Sequence, residues 1–243
     1  MLRIAGKTDV GRKRTANEDR FFVAKLSENT AYAVVCDGMG GEKGGHVASS
    51  CAVERIRKMM ENGYQEEFGE NSVKNLMLSS ISAANAQVFS MAEKNESLKG
   101  MGTTVVLALV RDSMIHIAYA GDSRAYLVDE AGVRQLTHDH SMVQMMVDRG
   151  EISPEEAQYH PEKHYITRAL GVSSMLEVDY LEEEMPDKGA VLLCSDGLSN
   201  YLDQADLHRL VWNNDAALAA DQLIAQANAM GGADNITAVL IGK

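Results

Sequence analysis

Residues 31–41 read AYAVVCDGMGG: an uncharged run from Ala31 to Cys36 that stops on Asp37 and a cluster of glycines. Such a run predicts a short buried strand. The glycine after the acid lets the backbone turn sharply and lets a ligand approach a carbonyl. The arrangement recurs at IAYAGDSRA, which carries Asp122, and at LLCSDGLS, which carries Asp196. GGADNITAVLI is its mirror, with Asp234 just ahead of an apolar run, and TANEDRFF sets Glu18 and Asp19 at the entrance to another. Asp-Gly after a strand is also an ordinary turn. The repetition of the pattern is what points to chemistry.

Outward from that stretch, the turn GMGGEKGG leads into a predicted helix from about His46 to Glu61. Val73, Leu76, Met77, Ile81, Ala84, Val88 and Met91 recur at three- and four-residue spacing, which predicts a long amphipathic helix. Thr103–Val110, Met114–Ala120, Ala125–Val128 and Val133–Leu136 read as four strands whose short connections predict an antiparallel meander. Ser141–Arg149 reads as a helix. Ser153-Pro154-Glu155-Glu156 starts another, with Ser as N-cap, Pro at the first helical position and Glu three residues on. The polar stretch from about Gly150 to Arg168 reads as a surface excursion. Leu176–Glu184, Ala190–Cys194 and Asn235–Ile241 are expected strands, and Leu202–Trp212 and Ala216–Met230 expected helices. Strands and helices interleave with no linker or repeat, so one domain over residues 1–243 is expected.

The chain has 243 residues, 45% of them hydrophobic and 24% charged, the balance of an ordinary globular protein. Its net charge of −12 argues against binding nucleic acid by bulk attraction. Cys36, Cys51 and Cys194 show no CxxC spacing, which disfavours a disulfide framework and a structural zinc site. The first residues, MLRIAGKTDVGRKR, lack the apolar stretch of a signal peptide, and the apolar run Val105–Val110 is far shorter than the roughly 20 residues that span a bilayer. These features lead to the expectation of a cytoplasmic protein that does not engage membranes, with a monomer as the default.

Carboxylates meeting at one sheet edge repel. At about 4 Å and an effective dielectric of 20, each like-charged pair costs roughly 4 kcal/mol, so a bound cation is needed to make such a cluster tolerable. Oxygen ligands select hard ions, magnesium or manganese, or calcium. Arg14 sits in GRKRTANED, the densest basic run, four and five residues before Glu18 and Asp19. Beside a metal cluster, a planar and permanently charged guanidinium suits a phosphate. GMGGEKGG matches neither GxGxxG nor the P-loop, GDSRA lacks the glycines of a serine-protease motif, and there is no GxSxG elbow. His138 and His140 in THDH read as structural, and Met142, Met145 and Met146 as core filling.

TDVGRKRTANEDRF, VVCDGMGGEKGGHVAS, GTTVVLALV, AYAGDSRAYL, LTHDHS, ITRALG, LLCSDGLSN and ADNITAVLI follow in this order from Thr8 to Ile241. With them the chain strongly resembles the protein phosphatase 2C family of metal-dependent serine/threonine phosphatases, and its length and DGMGG turn look like the bacterial branch. The resemblance implies an α+β fold, an α-β-β-α sandwich of two antiparallel sheets with helices on both outer faces. It implies two manganese or magnesium ions, with a third in bacterial members. Asp37 matches the aspartate bridging two metals, and Gly38 lends one of them its carbonyl. Asp196 and Asp234 match ligands of the first metal, Asp19 a residue holding the second through water, and Asp122 the partner of Asp196 at the third. Arg14 matches the phosphate-binding arginine, and residues 150–168 match a flap bordering the site. Where many members carry a general-acid His this chain has Met39, and where some bacterial members carry His it has Glu42.

The implied reaction is in-line attack by a metal-bridging hydroxide on phosphoserine or phosphothreonine, with no covalent phosphoenzyme. The implied partners are phosphorylated proteins, including a eukaryotic-type Ser/Thr kinase and its substrates. Two other readings stand beside it: a catalytically silent phosphoprotein-binding module on the same fold, and a hydrolase of small phosphate esters or anhydrides.

Overall fold

The computed structural model describes residues 1–243, the side chains of residues 41–43 excepted. β1 (Arg3–Asp9), β2 (Arg20–Lys25), β3 (Thr30–Cys36) and the two-residue β4 (Gly38–Met39) lead into α1 (Gly41–Gly63) and α2 (Glu70–Lys94). β5 (Gly102–Thr103), β6 (Val105–Arg111), β7 (Met114–Ala120), β8 (Arg124–Asp129) and β9 (Gly132–Gln135) follow. Then come α3 (Met142–Asp148), α4 (Pro154–Tyr159), β10 (Asp179–Glu184), β11 (Ala190–Cys194), α5 (Asp196–Ser199), α6 (Gln204–Trp212), α7 (Ala216–Ala229) and β12 (Ile236–Gly242).

Two five-stranded antiparallel sheets form, in the orders β1-β12-β11-β8-β9 and β10-β7-β6-β3-β2. Alternation along β3 shows how they are buried. Tyr32, Val34 and Cys36 point outward into a core shared with α1 and α2. Ala31, Ala33 and Val35 point inward, against Val106, Ala108, Leu193, Val239 and Ile241 between the sheets. A third core packs Tyr126, Leu192 and Leu240 of the other sheet against α6 and α7. The result is the expected α-β-β-α sandwich. Strands covered on both faces lose the alternating polar signal and read as continuous apolar runs, as Ala31–Cys36 does. Burial pushes the Cys194 thiol up to about 12 and raises that of Cys36, so both are inert thiols.

The expected four-stranded meander is corrected. β6 pairs with β7 and β8 with β9, but β7 and β8 lie in different sheets. Gly121 is the crossing point: its φ is +116°, and a Cβ there would lie 2.7 Å from the Thr104 side chain. A glycine allows that left-handed turn, and the chain leaves one sheet for the other. The expected strand over Thr103–Val110 is two elements, β5 and β6, parted at Thr104. The capping box of α4 is present, with Ser153 Oγ accepting from Glu156 N and Glu156 Oε2 accepting from Ser153 N. Among the described residues, no helix is long and apolar enough to cross a membrane.

Candidate active site and metal centre

The five aspartates singled out in the sequence sit at element ends that converge. Asp19 precedes β2, Asp37 follows β3, Asp122 lies in the β7–β8 crossing, Asp196 opens α5 directly after β11, and Asp234 precedes β12. Their proximity shows in their acidities. Burial raises the Asp37 carboxyl well above the usual range, and the charges of Asp19, Asp196, Asp122 and Asp234 add to it. Asp122 is pushed up to about 8 by burial and by the charges of Asp196 and Asp139. Burial and Asp234 raise Asp196. Asp19 is fully buried and pushed up to about 6 by that burial, although hydrogen bonds from Ser195 and Thr237 favour its charged form. Shifts of this kind mark sites where like charges are held together at a cost to the fold.

Uncharged neighbours hold the carboxylates in place. Ser195 Oγ and Thr237 Oγ1 each donate to Asp19 Oδ2 at 2.6 Å, and Asp19 N donates to Asn17 Oδ1 at 3.0 Å. Asp37 N donates to Thr104 Oγ1 at 2.9 Å, and the Asp37 carbonyl accepts from Thr103 Oγ1 and Thr104 N. Thr104 Oγ1 also pairs with Ser123 Oγ at 2.7 Å, tying the Asp37 strand end to the turn that carries Asp122. Asn235 Nδ2 donates to the Val10 and Ala16 carbonyls while its Oδ1 accepts from Glu18 N, which pins the loop bearing Arg14 to the start of β12. Gly38 packs so closely on α1 that a Cβ would lie 2.2 Å from the Gly45 carbonyl oxygen. Sequence reading missed Thr104, Ser123, Ser195, Asn235 and Thr237. Their only signal is adjacency to the acids or membership of GTT, since hydroxyls and amides are common everywhere.

Arg14 is exposed and donates from Nη2 to Asp234 Oδ2 at 2.8 Å. Its close ion-pair partner is thus Asp234 rather than Glu18 or Asp19, whose nearness in sequence had singled it out. Asp234, Glu18 and Asp37 all favour its charge. His140 is buried, stacked on Tyr119 at 5.2 Å, with Nδ1 accepting from Gly121 N and Nε2 facing Asp179 and Arg168, so it is structural as expected. His138 pairs with Asp148. Met39 pairs with Gly102 in the β4–β5 ribbon and offers no proton. The Glu42 side chain lies outside the described residues.

The donor set fits hard divalent cations. Glu18 Oε1, Asp19 Oδ1 and Asp196 Oδ1 are buried with no hydrogen-bond partner among the described residues, so three oxygens are left for another ligand. Among the described residues, no three side chains of this cluster bring ligand oxygens within 4.8 Å of one another. That openness suits an ion which keeps several waters and takes few carboxylates directly. Alongside, a groove of about 560 Å³ runs from Asp122 and Asp196 past Arg124, Gln144, Lys163 and Tyr201, between α3 and α4 on one side and α6 on the other.

A family model described as protein phosphatase 2C matches residues 9–228. The chain belongs to the protein phosphatase 2C family. It is 38% identical over 241 residues to "Serine/threonine phosphatase stp" of Listeria welshimeri, covering 98% of this chain and 94% of that one. It is 31% identical to "Protein phosphatase PhpP" of Streptococcus pneumoniae, covering 99% and 97%. Among solved structures, serine/threonine phosphatase Stp1 from Staphylococcus aureus superposes with a TM-score of 0.93 at 34% identity, covering 100% of this chain and 95% of that one. The catalytic domain of the serine/threonine protein phosphatase PstP, in complex with two manganese ions, superposes with a TM-score of 0.85 at 30% identity, covering 99% and 97%.

In this protein phosphatase 2C chain the Thr104 hydroxyl is the joint between two of the acids. Thr104→Val would strip the part-buried Asp37 amide of its acceptor and orphan the Ser123 hydroxyl. Urea denaturation should show a loss of about 1–3 kcal/mol, whereas an unchanged midpoint would mean that the joint carries no load.

Proposed function

We propose that the protein hydrolyses phosphoserine and phosphothreonine in proteins, using divalent cations held by Asp37, Asp196, Asp234, Asp19 and the Gly38 carbonyl, with Asp122 and Asp196 holding a third. The observation that carries this reading is the set of buried, partnerless oxygens on Glu18, Asp19 and Asp196 within a cluster of mutually repelling aspartates. Manganese or magnesium bound there would generate a nucleophile from water near neutral pH and neutralise phosphoryl charge.

The chain's own residues do the rest. Arg14 has one guanidinium nitrogen on Asp234 and, among the described residues, no other side-chain partner, so it can hold two phosphoryl oxygens while keeping its place against a metal-holding carboxylate. Ser195 and Thr237 occupy one oxygen of Asp19 and leave the other for the site. Asp37 would hold the cations, with Thr103 and Thr104 fixing its backbone. No nucleophilic side chain is required, which agrees with two fully buried thiols. Met39 cannot protonate the leaving alkoxide, which leaves that proton to water or to a histidine elsewhere, and the charge of His164 in the flap is felt at Asp196. Residues 150–168 act as a flap, and the groove beneath it takes the peptide flanking the phosphorylated residue. Substrates made by a eukaryotic-type Ser/Thr kinase in the cytoplasm, and a monomeric enzyme, complete the reading.

Phosphate release from a phosphothreonine peptide and from a nucleoside triphosphate, both with manganese, tests the substrate class. Faster release from the peptide is expected. Comparable or faster release from the nucleotide would turn the reading to a small-ester or anhydride hydrolase, and none from either to a binding module. Arg14→Ala should raise KM for the peptide about tenfold, with a smaller loss in kcat, because one charge-assisted pair to phosphate is lost. An unchanged KM would return Arg14 to the solvated surface.

A further inference from the structure

His116 in β7 is fully buried on the face of the sheet that α2 covers. Tyr180 of β10 places its hydroxyl oxygen 2.8 Å from His116 Nδ1 and 2.7 Å from Glu182 Oε1. A tyrosine hydroxyl has one proton and a carboxylate only accepts, so the proton goes to Glu182. The tyrosine oxygen must then accept from His116 Nδ1–H. That fixes the neutral tautomer and leaves a lone pair on Nε2.

His116 Nε2 is buried, has no hydrogen-bond partner among the described residues, and stands 3.0 Å from Glu70 Oε2 at the start of α2. Two acceptors at that distance repel unless something positive lies against both. Protonating the ring would serve as well: burial lowers its pKa, while the charges of Glu70 and Glu182 work the other way. One ring nitrogen of His116 and one carboxylate oxygen each from Glu70 and Glu182 lie within 4.8 Å of one another, the only such trio among the described residues; Glu70 approaches the ring at Nε2, and Glu182 Oε1 lies 3.8 Å from Nδ1. The other oxygen of Glu70 is taken by Arg111, and Lys74 lies 4.7 Å from the centre of the Tyr180 ring. These two cations offset part of the carboxylate charge without reaching the imidazole lone pair.

We propose that Glu70, His116 and Glu182 form a second metal site, separate from the aspartate centre, for a divalent transition ion of the zinc class. One imidazole and two carboxylates suit zinc better than magnesium, and the partial exposure of both glutamates leaves room for a water as a further ligand. The Tyr180 contact to Nδ1 is the kind of outer partner that orients a ligating histidine. An ion there would clamp the start of α2 to the β7–β10 edge.

The test is zinc binding to the whole chain in saturating magnesium, which keeps the oxygen-only aspartate centre filled. Zinc bound per chain is counted by equilibrium dialysis for the natural protein, Glu70→Gln and Glu182→Gln, and the His116 ring is followed by NMR. Each variant should bind one zinc fewer and keep its manganese-dependent phosphatase rate, and zinc should shift the His116 ring signals of the natural protein. Equal zinc counts in all three proteins, or a His116 ring unmoved by zinc, would overturn the site. The ring measurement uses the natural protein and so stands even if a variant folds poorly. Neither the zinc count nor the ring shift depends on the phosphatase reading.

Discussion

Asp37→Asn is expected to lower manganese-dependent phosphate release by about a thousandfold or more, while making the metal-free protein more stable. Asp37 is the carboxylate on which the charges of four other aspartates converge. On the proposed reading, removing its charge would remove a carboxylate that holds the cations, and losing one such charge-stabilising group costs on the order of a hundredfold to a thousandfold before any loss of metal itself is counted. The same substitution relieves burial and repulsion that the fold sustains without metal. The asparagine is nearly isosteric, so the gain should be about 1–2 kcal/mol, or roughly 2–8 °C in Tm in the presence of a chelator. A structural aspartate would behave in the opposite way, since its loss would destabilise the fold. Activity surviving in Asp37→Asn would remove it from the bridging role.

The stability of the metal-free protein should fall as pH rises. Asp19 is raised to about 6 and Asp122 to about 8, each from an ordinary value of 3.8. Between the ordinary and the raised values the folded chain keeps protons that the unfolded chain has released. The stabilisation from these groups is therefore complete below about pH 4 and is lost as pH climbs through about 6 and then 8. Asp9 and Asp179 are shifted downward, and their contributions disappear only on the acid side of the ordinary value, outside this window. With about 1 kcal/mol for each raised carboxyl, melting in a chelator should drop by roughly 4–8 °C between about pH 5 and 8.5. Manganese should erase or invert the slope, because it binds the folded state and replaces the protons. The same downward slope with and without manganese would mean that the raised carboxyls are not where the metal goes.

Asp37, Asp122 and Asp196 were legible in the sequence because each sits where an apolar strand ends beside a glycine or a small polar residue, as at Cys36-Asp37-Gly38, and Asp19 and Asp234 because each stands at the entrance to an apolar run. What holds them was not. Thr104, Ser195 and Thr237 lie inside or beside buried strands as ordinary small polar residues, and only pairing across 176 residues in the case of Ser195 and Asp19 gives them a role. Arg14 was picked out by its neighbours in sequence, yet its ion-pair partner lies 220 residues away because Asn235 ties its loop to β12. The sheet change after β7 was hidden for another reason. β7 and β8 are each buried on both faces, so nothing in their side chains says which sheet they join, and the left-handed Gly121 decides it. Glu70, His116 and Glu182 carry no motif at all; α2 must fold back over β7 and β10 before they meet.

In the proposed reaction, cations held by the aspartate cluster drive phosphate ester hydrolysis. Its most direct test is a manganese titration of the natural protein that follows bound metal and phosphate release from a phosphothreonine peptide together. Release should be absent in a chelator, rise as manganese fills the aspartate centre, and fail to rise in Asp196→Asn. Release at the same rate in the chelator, or manganese bound at the cluster with no release at any occupancy, would contradict the account.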